Sequence, residues 1–238
     1  MNLITLQLKT SNNFNKNLSK LIKKIEKSPA NSFILAPELF LTGYSYNRLE
    51  EASLLTKKAI NILKFLSHKK IIAITMTTKK DNLFYNTLYI FHNGLIVHTQ
   101  SKAKLFVLDD ERKYFTKGDE KDIKIITING IKIASLICFE LRFLDLIKKV
   151  QGADIILVPA MWGKLRKDNF ETLSKALAIT NQCYVMASNS SNNNMAKSSA
   201  IISPFGKVVK DNSKNKIQVK YDQKEIKKMR RYLNVGIK

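Results

Sequence analysis

The chain has 238 residues, 45% of them apolar and 25% charged, so it is long enough to bury the core of one large domain or two small ones. Its apolar runs are too short to span a bilayer, and its first residues lack the pattern of a secretion signal. Two cysteines make no disulfide framework. We therefore expect a cytoplasmic globular protein without a membrane partner.

The net charge of +22 is the most unusual feature of the composition. Such a charge favours contact with polyanions, a hypothesis of a class other than catalysis. The lysine pairs, however, are spread over the whole chain and fall mostly in predicted helices, where a solvated face is expected. No RNA-recognition, zinc-finger or glycine-rich phosphate motif accompanies them. We expect no nucleic-acid partner beyond nonspecific charge contact.

Apolar runs of strand length alternate with helical patterns along the first half of the chain. Strand patterns occur at "LITLQL", "SFILA" and "KIIAITM", with amphipathic helices predicted at "NFNKNLSKLIKKIEK" and "RLEEASLLTKKAINILKFLSHKK". Asn93-Gly94 and Asn129-Gly130 each lie between two apolar runs, which predicts two β-hairpins.

The second half continues the alternation of helices and strands. We expect helices in "LRFLDLIKKV" and "NFETLSKALAITNQ", strands in "DIILVPA", "YVMASN" and "SAIISPFGKVV", and a basic helix from about Gln223. Helices mixed with strands and hairpins in this order predict an α/β or α+β layered fold with mixed sheets.

Cys138 lies where the strand "KIASLIC" should end and a helix should begin. Several unrelated hydrolases place their nucleophile at a strand-to-helix turn, where helix N–H groups can lower a thiol pKa and bind an oxyanion. A buried core cysteine is the commoner case at a strand end. The three histidines are scattered and form no Cys–His dyad or metal site. Position alone therefore leaves both interpretations open.

Three charged residues are ordinary when each is considered alone. Glu38 follows an apolar strand and a proline, near the strand end where open α/β sheets gather their sites. Lys102 is one lysine among many, and Glu111 lies in an acidic turn that would by default be exposed.

The segments around these residues, taken in chain order, resemble those of the nitrilase (carbon–nitrogen hydrolase) superfamily. "APELFLTGY" resembles the family's glutamate segment, "KAKLF" and "ERKYFTKG" its lysine and second-glutamate segments, and "LICFELRF" its cysteine segment. "GADIILVPAMWG", "NQCYVMASN" and "SSAIISPFGKVV" resemble the strands that follow. The resemblance covers nearly the whole chain and implies a single domain over 1–238. It also implies a four-layer α-β-β-α sandwich with two mixed β-sheets.

The resemblance implies a catalytic role for four side chains. Glu38 would be the general base, Lys102 the stabilising cation, Cys138 the nucleophile and Glu111 a second glutamate that positions the nucleophile. The backbone N–H of Phe139, with the ammonium, would hold the oxyanion. This chemistry needs no metal and no organic cofactor.

The family's dominant activity implies an amidase that acts on a small-molecule linear amide through a covalent acyl-enzyme. An ω-amidase-like reaction on dicarboxylate monoamides is the first expectation. Hydrolysis of N-carbamoyl amines is the second, and true nitrile cleavage the third. A catalytically silent or polyanion-binding protein on the same frame is the alternative of another class. The resemblance also implies a homodimer.

Three further residues are candidates for the substrate pocket. Tyr44 and Trp162 are aromatic residues near predicted strand ends, and either is suited equally to a pocket wall or to packing. Arg142 has the geometry to bind a substrate carboxylate bidentately, although a structural role at the helix start is the commoner use.

The chain departs from the family pattern at three positions near the implied site. Lys104 stands where many relatives have histidine, and Leu177 and Thr180 stand where many have arginine and glutamate. An apolar residue and a hydroxyl in place of an ion pair predict a rearranged environment around the catalytic side chains.

Overall fold

The computed structural model describes residues 1–237. Its strands are β1 (Asn2–Leu6), β2 (Ser32–Leu35), β3 (Lys70–Lys80), β4 (Leu83–His92), β5 (Leu95–Ser101), β6 (Ile126–Ile128), β7 (Ile131–Ser135), β8 (Ile155–Ala160), β9 (Tyr184–Asn189), β10 (Ala200–Ile202), β11 (Val208–Lys210) and β12 (Lys216–Lys220). Its α-helices are α1 (Phe14–Glu26), α2 (Leu49–Leu66), α3 (Glu111–Tyr114), α4 (Leu144–Lys149), α5 (Lys167–Thr180) and α6 (Gln223–Tyr232).

The strands form two six-stranded sheets of similar design. Sheet A has the order β12-β1-β2-β3-β4-β5, and sheet B the order β11-β10-β9-β8-β7-β6. In sheet A the pairs β1–β2 and β2–β3 are parallel, and the outer pairs are antiparallel. In sheet B the pairs β7–β8 and β8–β9 are parallel, with antiparallel strands again on both sides.

Alternating side chains build the layers of the fold. Leu3 and Phe33 point into the core shared with sheet B, whereas Ile4 and Ile34 pack in the separate core that includes α1 and α2. The apolar face of α5 packs behind sheet B, where Phe170 is buried. The arrangement confirms the predicted four-layer α-β-β-α sandwich with two mixed β-sheets.

Both predicted hairpin turns are present and join neighbouring antiparallel strands. Asn93 and Gly94 have φ values of 46° and 81°, and Asn129 and Gly130 have values of 51° and 76°. Two successive residues in the left-handed region match the twist of the flanking strands, and Asn-Gly adopts this conformation at low cost.

The C-terminal region differs from the sequence prediction in two ways. The stretch predicted as one strand is two antiparallel strands, β10 and β11, because the chain reverses around Pro204 and Gly206, where φ is 76°. Strand β12 was not predicted. It pairs with β1 more than two hundred residues away in the sequence, so its short pattern has no local partner to reveal it.

The ends of three strands carry the residues of interest to the same region. Glu38 follows β2, Lys102 follows β5 directly, and Cys138 follows β7. Among residues 1–237, no helix has both the length and the apolar character that crossing a membrane requires.

Gly118 limits the space beside the segment that carries Lys102. Its N–H donates to the Lys102 carbonyl at 2.8 Å, and an added Cβ would overlap the carbonyl oxygen of Ser101. We expect Gly118→Ala to lower the free energy of unfolding by about 1–3 kcal/mol, because the backbone must move. Urea denaturation measures the loss.

Gly130→Ala is the control for this substitution. A Cβ added at Gly130 would have no atom within 4 Å, but the φ of this residue is 76°. The expected loss there is only the ~1 kcal/mol of left-handed backbone strain. Equal losses in the two variants would contradict the crowding argument.

Candidate active site

The structure brings the four predicted catalytic side chains together at one edge of the two sheets. Glu38, Lys102 and Cys138 arrive from the ends of three strands, and Glu111 begins the short helix α3. The main-chain N–H of Glu38 donates to the carbonyl of Ala160, at the end of β8, at 3.2 Å. This bond joins sheet A to sheet B beside the cluster.

Lys102 is the centre of the cluster and its side chain is fully buried. Its Nζ lies 2.9 Å from Glu38 Oε1, 2.9 Å from Glu111 Oε1 and 3.0 Å from the Tyr44 hydroxyl oxygen. Burial lowers the pKa of Lys102, but the negative charges of Glu38, Cys138 and Glu111 outweigh burial and raise it. The side chain is therefore a permanent ammonium.

The two oxygens of Glu38 have different surroundings. Oε1 accepts hydrogen bonds from the Tyr44 hydroxyl at 2.7 Å, from Asn86 Nδ2 at 2.9 Å and from Lys102 Nζ at 2.9 Å. Oε2 is buried and has no hydrogen-bond partner within residues 1–237. The carboxylate is thus anchored through one oxygen, and the other is free to accept a proton.

Cys138 has a left-handed backbone, with φ of 52°, and opens the 3₁₀ turn Cys138–Arg142. A non-glycine residue in this region is strained, as at the nucleophile turns of other hydrolases. Burial and the adjacent Glu38 carboxylate raise the pKa of the Cys138 thiol, although the Lys102 charge and the Met161 N–H act in the opposite direction. The resting group is a thiol, and a base beside it has a proton to take.

Glu111 is the second carboxylate in contact with the ammonium. Its Oε1 also accepts from the Tyr44 hydroxyl at 3.1 Å, and its Oε2 accepts from the main-chain N–H of Phe106 at 2.6 Å. Burial raises the pKa of Glu111, while the charge of Lys102 lowers it. The second glutamate therefore fixes both the ammonium and the loop that follows it.

The predicted oxyanion donor lies in the first turn after Cys138. Amide groups in a first turn lack a partner within their own helix. The Phe139 N–H donates to no acceptor among the described residues, and Phe139 lines the same cavity as Cys138. Its role as donor stays a prediction that this position supports.

A cavity of about 350 Å³ opens onto the thiol. Trp162 and Arg142, both candidates for the pocket, line it with Cys138 and Lys102. The Arg142 guanidinium lies 4.8 Å from the centre of the Trp162 ring, and its Nη2 donates to Asn169 Oδ1 at 3.0 Å. Arg142 thus both faces the cavity and contacts α5.

Tyr44, Asn86 and Arg166 have functions that the residue patterns did not reveal. Tyr44 lines the cavity as predicted, but its hydroxyl also belongs to the Glu38–Lys102 cluster. Asn86, a buried residue of β4, donates to Glu38. Arg166 lines the cavity with its guanidinium 5.0 Å from the Phe106 ring centre, and no sequence signal distinguished it from other basic residues.

The three departures from the family pattern have local explanations. Lys104 Nζ pairs with Glu120 at 2.7 Å and with Asp145 at 3.4 Å, on the surface beside the cluster. Leu177 is buried in the core, and the Thr180 hydroxyl donates to the carbonyl of Ala176 in its own helix. Where many relatives have an ion pair, this chain thus has a packed leucine and a threonine bonded within its own helix.

Comparison with known proteins identifies the family. The carbon-nitrogen hydrolase family model matches residues 4–231. A 2-oxoglutaramate amidase from Bacillus subtilis is 33% identical over 233 residues, which cover 92% of this chain and 89% of that protein.

Two solved structures share the fold. A CN-hydrolase superfamily protein from Xanthomonas campestris has a TM-score of 0.87 at 20% identity, over 98% of this chain and 94% of that one. A nitrilase-superfamily member from Saccharomyces cerevisiae has a TM-score of 0.86 at 22% identity, over 99% of this chain and 95% of that one. The family match over residues 4–231 and the relative from Bacillus subtilis establish that the chain, whose fold these structures share, belongs to the nitrilase superfamily and is a carbon–nitrogen hydrolase.

Proposed function

We propose that this protein is a cysteine-dependent amidase that hydrolyses small linear amides through a covalent acyl-enzyme. The observation that carries the proposal is the position of Cys138 in the lining of the cavity, beside the Glu38 carboxylate, whose Oε2 has no hydrogen-bond partner among the described residues. The unoccupied Glu38 Oε2 is the base that takes the thiol proton.

Acylation follows from this geometry. The Cys138 sulfur attacks the amide carbon as Glu38 receives its proton, and the carbonyl oxygen becomes an oxyanion. In the free enzyme the Nζ of Lys102 already contacts Glu38, Glu111 and Tyr44. The Phe139 N–H therefore donates directly to the oxyanion, and Lys102 contributes its nearby positive charge.

Collapse of the tetrahedral intermediate breaks the carbon–nitrogen bond. Glu38 returns the proton to the leaving nitrogen, so ammonia departs and a thioester remains on Cys138. Glu38 then takes a proton from water as the resulting hydroxide attacks the thioester. When the carbon–sulfur bond breaks, Glu38 gives that proton to the Cys138 sulfur, so the acid is released and the thiol is regenerated. Glu111 keeps Lys102 in place through both halves of the reaction.

The lining of the cavity favours a substrate with a carboxylate. Arg142 and Arg166 both belong to it, and neither forms an ion pair with an acidic side chain among residues 1–237. Of the acidic residues in the lining, Glu111 pairs with Lys102, and Asp109 accepts a hydrogen bond from Tyr46 at 3.1 Å. Guanidinium groups bind carboxylates through paired hydrogen bonds.

We therefore infer an ω-amidase-like reaction on a dicarboxylate monoamide. Such a molecule has an amide at one end for Cys138 and a carboxylate at the other for the arginines. The 2-oxoglutaramate amidase of Bacillus subtilis, a relative over most of the chain, supports this substrate class.

We also propose that residues 1–238 act as one domain, as a homodimer and in the cytoplasm. Large apolar side chains are exposed on the outer helices of sheet B, with 74% of Leu144 and 40% of Ile179 accessible, which suits a partner subunit. Both cysteines are free thiols, as in proteins of reducing compartments.

Alkylation by iodoacetamide tests the role of Glu38 without any amide substrate. The charge of Glu38 raises the pKa of Cys138, so charge alone predicts faster alkylation in Glu38→Gln. If Glu38 acts as a general base, alkylation of Cys138 should instead be slower in Glu38→Gln. We expect Glu38→Gln to label Cys138 at least ~100-fold more slowly at pH 7, measured by mass spectrometry. Faster labelling would remove Glu38 as the base.

Ammonia release from amides, N-carbamoyl amines and nitriles tests the reaction itself. We expect wild type to release ammonia from linear amides, and Cys138→Ala to lose at least ~10³-fold in kcat while remaining folded. Cys183→Ala is the control, because Cys183 is fully buried in the core away from the cavity, and it should retain most activity. Turnover by Cys138→Ala, or a folded but inactive Cys183→Ala, would exclude Cys138 as the nucleophile.

Succinamate and butyramide test the substrate class, since they differ in having a carboxylate or a methyl group at one end. We expect Arg166→Gln to lower kcat/KM for succinamate by about 10–100-fold, because a charged hydrogen bond is lost, and to change butyramide hydrolysis less than about threefold. Lys164→Gln, an exposed lysine outside the cavity lining, is the charge control. Equal losses on both substrates would contradict carboxylate binding by Arg166.

A further inference from the structure

A buried carboxylate that the proposed mechanism does not use lies two residues after Cys138. Glu140 has no exposed surface, yet no cationic side chain forms a salt bridge with it within residues 1–237. Its Oε1 accepts from the main-chain N–H of Ala103 at 2.6 Å, and its Oε2 accepts from that of Ile137 at 2.7 Å. Ala103 follows Lys102, and Ile137 precedes Cys138.

The two segments that Glu140 joins belong to different sheets. Ala103 lies just beyond β5 at the edge of sheet A, and Ile137 lies just beyond β7 in sheet B. Gln100 of β5 and Ser135 of β7 form a second connection between the two sheets, because the Ser135 hydroxyl donates to Gln100 Oε1 at 2.7 Å. The segment that carries the ammonium and the segment that carries the thiol are therefore hydrogen-bonded to the same carboxylate.

We propose that Glu140 is a positioning residue that sets the distance between Cys138 and Lys102 by holding one amide from each sheet. The proposal rests on the roles proposed above for those two residues. Glu140 does not line the cavity, so it acts through them and not on the substrate.

The chemistry of the contact requires a carboxylate of this length. Both partners are N–H donors, and an ionised carboxylate presents an acceptor to each. A glutamine of the same size has one acceptor oxygen, so its NH₂ group would face an N–H. An aspartate keeps both acceptors but is shorter by one methylene.

The ionised Glu140 carboxylate does not increase the free energy of unfolding at neutral pH relative to its protonated form. Burial raises the pKa of Glu140 to about 7, although the amides of Ile137, Ala103 and Lys104 and the charge of Lys102 all lower it. A carboxyl whose pKa is higher in the fold than its ordinary value of ~4.3 loses stabilising free energy as the pH rises between the two values. The ionised form therefore stabilises the fold less than the protonated form does, so the case for its role rests on the two hydrogen bonds that it accepts.

The comparison of Glu140→Gln with Glu140→Asp tests the proposal through the rate at which iodoacetamide labels Cys138. This readout does not depend on the identity of the amide substrate. We expect Glu140→Gln to label about 100-fold more slowly than wild type, because misplacement by an ångström has effects of that order. Glu140→Asp should label within about tenfold of wild type, because it keeps both acceptors.

A role as space-filling core would reverse this order. Glutamine fills the same volume and would label at the wild-type rate, whereas aspartate leaves a gap and would be the slower variant. That reversed order would overturn the proposal. Glu51→Gln, which removes an exposed carboxylate that does not line the cavity, controls for loss of charge. With an amide substrate, the Glu140→Gln defect should appear in kcat and leave KM within about twofold.

A measurement on the wild-type protein keeps the proposal testable if the variants do not fold. The amide ¹⁵N shifts of Ala103 and Ile137 should move together with a single apparent pKa at about 7, since one carboxyl bonds both. Separate titrations of the two amides would overturn the proposal.

Discussion

The burial of the Lys102 ammonium between two carboxylates is the interaction on which the site depends. A buried charge is costly unless partners compensate it, and here the carboxylates of Glu38 and Glu111 each lie 2.9 Å from the Lys102 Nζ. Each partner is supplied by a different segment, one after β2 and one in α3. The cluster therefore forms only when these segments and β5 are all in place, and the loss of any member leaves an uncompensated charge in the interior.

The two sheets deliver these residues because β2 and β5 of sheet A and β7 of sheet B all end at the edge where the cluster lies. Packing of alternating apolar side chains holds the sheets face to face, but such packing is not directional. Hydrogen bonds between the sheets are directional. Beside the cluster, the Glu38 N–H donates to the Ala160 carbonyl, and elsewhere the Ser188 hydroxyl donates to the Leu6 carbonyl at 2.6 Å. The core therefore accounts for the fold, and a small number of polar bonds account for the precision of the site.

The residues in and around the cavity form two groups with different tasks. In the first group the Lys102 ammonium and the carboxylates of Glu38 and Glu111 compensate one another, so these groups are arranged for bond cleavage in a site of low polarity. In the second group, the Arg142 and Arg166 side chains stack on Trp162 and Phe106 and have no acidic partner among the described residues. The first group matches the residue pattern of the family and thus suits the reaction type, and the second group suits the choice of substrate that we propose.

The sequence by itself determined the family, the layered fold and both Asn-Gly hairpins, and it identified the four clustered residues Glu38, Lys102, Glu111 and Cys138. These features depend on local turns and on sequence segments that occur in the same order as in the family. It did not reveal β12, whose partner is distant, or the reversal that splits β10 from β11. Only the tertiary structure decided that the Tyr44 hydroxyl and Asn86 bind Glu38, that Glu140 joins two sheets, and that Arg166 faces the thiol's cavity. Those contacts join residues far apart in the chain, and a single side chain's direction leaves no trace in periodicity or composition.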